Sequence, residues 1–360
     1  IQDCLSSTPD DCLLEIFKFL DRKDIYHVTR ANKRLHQLYA NQSLEHIKWK
    51  NGWLHIAETV KGYCFDFLVR SEDFPIHMAS YQYEIYKTKE GDTIEKKLID
   101  GCLDYSYQQP MHDFAIPANF FVALKDILRF HEVKLITIDD VPFYGTLFEH
   151  LESVINGSTV EKMECTNMKC KPIVKHDRMS FASLVKNIKH VDLSQSKKVT
   201  PLVNEEFFRY IADSSVTTFT TYPDYDEANK HPFVPDKSII SCMVHFDTLC
   251  ALELVLNFNW LAEFIIEYIE KATMLQHTED FLGAFHFAID RDFSFHAFAG
   301  QFNGTGYECS DVNTKFDAVV RKADGIYAYV NSWSRYAKTV YVRFANKRYT
   351  RKRQFPDVGF

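Results

Sequence analysis

Hydrophobic residues between Thr8 and Leu20 recur with the spacing of a helix. Four large apolar side chains fall at positions i, i+3, i+4 and i+7, which places them on one helical face. They are Leu13, Ile16, Phe17 and Leu20. The segment opens with a threonine able to cap the helix, a proline suited to its first turn, and two aspartates at the positive end of the helix dipole. The pattern predicts an amphipathic helix whose apolar face needs a cover.

Two shorter helical patterns follow this segment. Ile25 and Val28 begin a second apolar stripe after a charged break, and Asn32 starts a third segment, in which Leu35 and Leu38 continue the helical spacing. Three helices in roughly 40 residues lie near the lower limit for a single core, so we expect a partner to stabilise them. A helical cap that merely shields the next domain explains the periodicity equally well.

Residues 51–130 show the least regular pattern. Residues 81–87 alternate between apolar and polar as a strand does, residues 90–92 read as a turn, and residues 93–99 can return as the hairpin partner. A helix is expected over residues 119–131. We assign 51–130 to a junction between the N-terminal helices and the domain that follows.

An apolar pattern with hydrophobic positions 1, 4 and mostly 6 repeats from residue 133 onward. Its first copies start 27, 28 and 28 residues apart, and helical stretches lie between them. The copies begin at Val133, Val160, Ile188 and Val216, with weaker ones at Leu249 and Leu282 and a last strand over Thr339–Ala345. A short strand plus a helix on a period of about 20–29 residues is typical of leucine-rich repeats.

The predicted fold class is therefore α+β or α/β. Residues 1–50 form a three-helix bundle, residues 131–345 form an irregular leucine-rich-repeat-like α/β solenoid, and residues 346–360 form a basic tail. The near-constant spacing favours true repeats, because ordinary α/β domains vary the length of their crossovers. A different α/β or α+β domain is the alternative, since a three-position apolar template also matches by chance.

Composition and charge narrow the classes of function. The chain of 360 residues is 46% hydrophobic and 25% charged, as expected for a globular protein, and its net charge of −7 does not attract nucleic acid or anionic lipid. No run of 18 apolar residues occurs, so no membrane association is expected. Nine cysteines without the spacing of a zinc or disulfide motif indicate reduced thiols in the cytoplasm and/or nucleus.

No motif for catalysis or for cofactor binding is present. A phosphate-binding glycine loop, a serine nucleophile elbow and a cysteine nucleophile signature are all missing from the sequence. His286, Asp290 and Asp292 lie close together in the sequence, which suggests a metal or acid/base role, but alternation along a strand would place them on the same polar face and is the simpler explanation. We expect no metal, no cofactor and no catalytic residue.

The N-terminal pattern resembles an F-box. The resemblance rests on Pro-Asp-Asp-Cys-Leu-Leu-Glu-Ile-Phe at 9–17, on Leu-Asp-Arg-Lys-Asp-Ile at 20–25, and on Ala-Asn-Lys-Arg-Leu at 31–35. Thr8 and Cys12 depart from the family pattern, which has Leu at both positions. The resemblance implies contact with the Skp-type adaptor of a cullin ubiquitin ligase. The implied adaptor-binding residues are Pro9, Cys12, Leu13, Ile16, Phe17, Leu20 and Ile25.

The whole chain is similar to the nematode F-box families with divergent C-terminal substrate-recruiting domains. The resemblance implies a non-catalytic substrate-recognition subunit of a Skp–cullin–F-box (SCF) ubiquitin ligase, with a target protein as second partner. Outward strand positions and the basic tail are the candidate target contacts. They are Lys134, Thr137, Glu161, Glu164, His190, Asp192, Arg348, Arg351 and Arg353. The alternative function is a non-ligase interaction scaffold or regulator that carries an F-box-like helical bundle.

Overall fold

The computed structural model divides the chain into two units, which are described separately. One unit comprises residues 1–137 and 153–160, and the other comprises residues 138–152 and 161–360. The residues described are 7–17, 20, 24, 27–28, 32–40, 49–58, 62–69, 79–88, 91–99, 121–122, 124–125, 128, 131–143, 145–155, 160–170, 175–196, 202–221, 232–275, 281–290, 292–313, 317–322, 325–331 and 339–346.

The described residues form helices and strands with the following bounds. The helices are α1 (Asp10–Phe17), α2 (Lys33–Ala40), α3 (Gly145–Ile155), α4 (Lys175–Val185), α5 (Glu205–Ile211), α6 (Lys237–Met243), α7 (Phe258–Met274) and α8 (Phe295–Gly300). The strands of the N-terminal half are β1 (Trp49–Glu58), β2 (Gly62–Val69), β3 (Ala79–Thr88), β4 (Gly91–Ile99), β5 (His131–Asp139), β6 (Pro142–Phe143), β7 (Val160–Thr166) and β8 (Lys169–Cys170). Those of the C-terminal half are β9 (Ile188–Gln195), β10 (Thr218–Thr220), β11 (Thr248–Leu256), β12 (Phe281–Ile289), β13 (Tyr307–Asn313), β14 (Asp317–Lys322), β15 (Tyr327–Asn331) and β16 (Thr339–Ala345).

The first unit contains α1, α2 and an antiparallel meander. Strands β1, β2, β3 and β4 pair in chain order, each antiparallel to the one before, and β5 lies beside β1. Strands β3 and β4 occupy the segment for which alternation predicts a hairpin. In β1, Leu54, Ile56 and Ala57 are fully buried and contribute to the core of this unit. The helix expected over 119–131 falls mostly outside the described residues.

The second unit contains a mixed sheet. Its strand order is β7-β9-β10-β11-β12-β16-β15-β14-β13. Strands β9 to β12 are parallel, with helices in the connections between them, whereas β12, β16, β15, β14 and β13 pair antiparallel in that order. Side-chain caps fix where several helices begin, because an Asn or Asp oxygen accepts a first-turn N–H in α5, α6 and α7.

Phenylalanine dominates the core between this sheet and its helices. Phe264 of α7 lies 4.8 Å from Phe285, 5.4 Å from Phe287 and 6.0 Å from Phe344, measured between ring centroids. A second group joins α3, α4 and α5 to β10 through edge-to-face, tilted and stacked contacts. Most of the rings meet at an angle, which favours the positive ring edge over the negative ring face. The unusually large number of Phe residues is thus explained by core packing in this unit.

The predicted fold class is wrong. A solenoid adds each strand in the same direction as the last, whereas β12 to β16 pair antiparallel within the predicted solenoid, so the sheet of the second unit is mixed. The expected N-terminal three-helix bundle is also wrong, because the helices with described bounds before β1 are α1 and α2. Between them the described residues show single helical positions, at Asp24, His27 and Val28. Apolar spacing identifies a strand without fixing the direction of its neighbours, and this is the physical reason for the error.

Candidate functional site

The expected adaptor-binding residues of α1 separate into a buried and an exposed set. Leu13 and Phe17 are each 1% exposed and pack against Leu35 of α2. The exposed members are Pro9, Cys12 and Ile16. Steps of three and four residues place this second set along one side of the helix. We call it the α1 patch; its largest apolar side chain, Ile16, is 43% exposed.

Polar contacts of Arg34 fasten α2 to the start of α1. Its guanidinium donates to the carbonyl oxygen of Thr8 at 2.7 Å and forms an ion pair with Asp10. Asn32 accepts the backbone N–H of Arg34 at 2.9 Å and that of Leu35 at 3.4 Å, as an N-cap does. The helix pair therefore has its own small core and is held together by the contacts of Arg34. The residues of the α1 patch belong to neither.

The two remaining expected adaptor-binding residues are Leu20 and Ile25. Leu20 is half-buried and packs against the cluster of Leu13, Phe17 and Leu35. Ile25 lies outside the described residues. Among the described candidates, the side chains that are accessible to a partner are therefore those of the α1 patch and, in part, that of Leu20.

Two of the expected target-binding residues, Lys134 and Thr137, lie on β5, and each contacts another side chain of the protein. The Lys134 ammonium lies 2.9 Å from a Glu132 carboxylate oxygen, and both side chains are about three-quarters buried. Thr137 is 8% exposed, and its hydroxyl accepts a hydrogen bond from the Trp53 indole N–H at 2.8 Å. Because Thr137 is buried, it is unsuitable for direct contact with a target protein, whereas part of the Lys134 side chain is exposed to solvent.

The expected contacts on β7 are more accessible. Glu161 is exposed, and Glu164 forms an ion pair with Lys162 on the same strand. The expected contacts of the C-terminal basic tail lie outside the described residues. They are Arg348, Arg351 and Arg353.

His190 and Asp192 lie together on the polar side of β9. Asp192 accepts a hydrogen bond from the Thr220 hydroxyl at 3.0 Å and another from the backbone N–H of Ser194 at 2.9 Å. Burial lowers the pKa of His190, and Lys189 acts in the same direction. The His190 imidazole is therefore held neutral, next to a carboxylate that is fixed in place by two donors.

Strand register extends this polar side across the sheet. Asp192 pairs with Thr220, Thr220 with Cys250, Cys250 with His286, and His286 with Tyr341. Paired residues of neighbouring strands share a face, so these five form one line, which we call the polar row. Its middle is buried, with Cys250 at 1% and His286 at 4% exposure, while its two ends are half-buried.

Sequence reasoning identified only the β9 end of the polar row as a target contact. It missed Thr220, Cys250 and Tyr341, and it noted His286 only as an unlikely metal ligand. Alternation within each strand was the available signal for these positions, but the pairing register that aligns them is a property of the folded sheet.

A thiol and an imidazole meet at the centre of the polar row without forming a reactive pair. Cys250 Sγ lies 3.6 Å from His286 Nδ1, and the His286 ring stacks on Tyr341 with centroids 3.8 Å apart. Burial raises the pKa of the Cys250 thiol well above its usual range and lowers the pKa of His286 to about 3. Both groups are therefore neutral, and a thiolate nucleophile is not formed here.

A carboxyl group is buried at the end of β11. Glu253 has no exposed surface and lies in the irregular stretch between Ala251 and Val255. Its Oε2 is 3.5 Å from the Thr221 hydroxyl, and among the described residues its Oε1 has no hydrogen-bond partner. Burial raises the pKa of Glu253 to about 8, so the carboxyl is mostly protonated at neutral pH.

Within the described part of the chain, no three His, Cys, Asp or Glu side chains converge in a way that could hold a metal ion. No helix among those residues is both long and apolar enough to cross a membrane.

Comparisons with protein-family models, with curated proteins and with solved structures find no match to this chain.

Proposed function

We propose that this chain is a substrate-recognition subunit of an SCF-type ubiquitin ligase. The observation that carries the proposal is the division of α1 into a buried side, with Leu13 and Phe17, and the exposed α1 patch. A helix that only shields a neighbouring domain needs no apolar residue on its outer side. An isoleucine kept 43% exposed, on the side of the helix that also carries Cys12 and Pro9, suits docking into an apolar groove of a partner.

The size of the α1 patch sets how much binding it can supply. Complete burial of a fully exposed isoleucine side chain contributes about 1.5–3 kcal/mol. Ile16 is 43% exposed, so burying the rest supplies roughly 1 kcal/mol, and Ile16 is the expected anchor of the contact. Cys12 stands where the F-box pattern has Leu and adds less apolar area than Leu would. Half-buried Leu20 extends the surface at the end of the helix.

The mixed-sheet unit supplies the target-binding surface in this proposal. The accessible polar groups on β7 and β9, at Glu161, Glu164, His190 and Asp192, include carboxylates and a neutral imidazole. Charged and hydrogen-bonding groups of this kind favour specificity over affinity. The subunit would act by holding the target near a ubiquitin-charged enzyme, which raises effective concentration and needs no catalytic group in this chain.

Binding to a recombinant Skp-type adaptor tests the proposal. We expect the wild-type chain to bind and Ile16→Asp to weaken binding at least about tenfold, which corresponds to about 1.4 kcal/mol. Ile16 is the preferred site because Leu13 supports the core of the helix pair, so its substitution would also disturb folding. Val122→Asp is the matched control, since Val122 is a 63% exposed apolar residue outside α1.

Each result has a defined meaning. Loss of binding in Ile16→Asp but not in Val122→Asp supports adaptor docking through the α1 patch. Equal binding by both variants overturns the role of the patch. If a folded wild-type chain does not bind, the ligase proposal is overturned, and the alternative of a non-ligase scaffold or regulator with F-box-like helices takes its place.

A further inference from the structure

Lys271 differs in its partners from Lys175 and Lys237, two other lysines of the helical layer. Lys175 lies 2.8 Å from a Glu206 oxygen, and Lys237 lies 3.4 Å from a Glu263 oxygen. The Lys271 ammonium instead donates to the Val244 carbonyl at 2.8 Å and lies 3.1 Å from Nδ1 of His245. It is half-buried near the end of α7. Among the described residues, no carboxylate oxygen lies within 4.0 Å of its nitrogen.

The nearest carboxylates on α7 are engaged elsewhere. Glu267 accepts a hydrogen bond from the Ser241 hydroxyl at 3.0 Å, and Glu270 accepts one from the Tyr307 hydroxyl at 3.3 Å. Neither carboxylate forms an ion pair with Lys271, whose hydrogen-bonding neighbours are two uncharged acceptors.

Burial, more than neighbouring charge, lowers the pKa of both members of the pair. Burial lowers the pKa of Lys271, and the more distant Asp247 opposes this only in part. Burial and the nearby Lys271 charge lower the pKa of His245, while Asp213 opposes them. Burial also raises the pKa of the Cys242 thiol, so that group adds no negative charge.

We propose that Lys271 and His245 form an acyl-acceptor site, at which the lysine amine takes an acyl group from a thioester. After the Lys271 ammonium has lost one proton to solvent, its amine nitrogen attacks the thioester carbonyl, the new N–C bond forms, and the C–S bond breaks to release a thiolate. His245, with its own proton on Nε2, receives the proton that the amine loses through Nδ1 and passes it to the thiolate. The products are an amide and a thiol, and neither oxidant nor reductant takes part.

A purely structural role for Lys271 makes a different prediction. Val244 is the C-cap residue of α6, and a lysine that donates to its carbonyl stabilises the end of that helix. Such a cap would change the stability of the protein when removed, but it would not make the amine react faster than other lysines. Reactivity therefore separates the two roles, whereas stability does not.

The test uses the full-length chain and an acetyl thioester of a small thiol at neutral pH. Acetylation rates of individual lysines are followed by peptide mapping with mass spectrometry. Lys175 and Lys237 serve as internal controls, because their side chains are 74% and 76% exposed. We expect Lys271 to react faster than both, although it is less accessible. A rate no higher than theirs would overturn the proposal.

The His245→Asn variant tests the base. Asparagine keeps a hydrogen-bond acceptor near the position of Nδ1 but cannot take a proton, so the contact with Lys271 is retained. We expect the Lys271 rate to fall about tenfold, less than the roughly 10²–10⁴-fold of a base in a closed active site, because this pair is partly exposed. An unchanged rate would remove His245 from the mechanism. This inference does not depend on the proposed ligase function, since binding to the adaptor is measured separately.

Discussion

The buried carboxyl of Glu253 makes the stability of the second unit depend on pH. The side chain has no exposed surface, and within the described residues its own backbone N–H and the Thr221 hydroxyl at 3.5 Å are the hydrogen-bonding groups that favour its charged form. Burial raises the pKa of Glu253 from 4.5 to about 8. Ionising this group in the folded state therefore requires charge in a site where almost nothing stabilises it.

The sign and the size follow from proton linkage. Between pH 4.5 and about 8 the folded state holds a proton that the unfolded state has lost, so stability falls as pH rises through this window. Below pH 4.5 both states are protonated and the contribution is fully present. At 1.36 kcal/mol for each pKa unit, the total loss is roughly 5 kcal/mol at most, a large part of a typical domain stability of about 5–15 kcal/mol.

Glu253→Gln isolates this effect, because the amide has the same shape and cannot ionise. We expect urea unfolding to show a difference between Glu253→Gln and wild type that favours the variant increasingly from pH 5 to pH 9. The comparison is necessary because His190, His245 and His286 have lowered pKa values, which raise stability with pH up to about 6.5.

Glu161→Gln is the matched control, since Glu161 is exposed on β7 of the same unit. Its unfolding free energy should follow that of the wild type at every pH. A constant difference between Glu253→Gln and wild type from pH 5 to pH 9 would refute the reasoning, because it would mean that the carboxyl is in the same state throughout.

Two further predictions concern packing and thiol reactivity. Gly283→Ala should destabilise the protein by about 1–3 kcal/mol in thermal or urea unfolding, because a Cβ there would overlap a buried tyrosine hydroxyl. Gly300→Ala, where a Cβ has nothing within 4 Å, should change stability by less than about 1 kcal/mol, and equal losses would contradict the steric argument. Exposed Cys12 should react with iodoacetamide in the native protein while buried Cys250 reacts only after unfolding; native labelling of Cys250 would show that its burial is wrong.

The local elements could be read from the sequence because short-range spacing defines them. The spacing of Leu13 and Phe17 predicts the buried side of α1, and both residues are in its core. The apolar triplets that begin at Val133, Val160 and Ile188 each fall within a strand. Burial of alternate side chains is a local requirement, so a window of a few residues contains the information.

The candidate surfaces could be predicted only in part. Ile16 was expected to contact an adaptor from its place in the motif, but the same motif could not separate it from buried Phe17. Asp192 was expected as an outward polar position, whereas its partners Thr220 and Cys250 were not identified. Exposure depends on which helix packs where, and that information is not local.

The sequence by itself determined where α1, the β3–β4 hairpin and the strands at Val133, Val160 and Ile188 form, because hydrophobic spacing acts over a few positions. It did not predict β1, β2, β13, β14 or β15. Only the tertiary structure decided that the sheet is mixed, that polar side chains of five strands align in one row, and that Lys271 meets His245 across a distance of 26 residues. Strand direction and register depend on how distant segments share one core. The free energy that stabilises one strand direction and register over another comes from many contacts between distant segments, so no single stretch of the chain determines it.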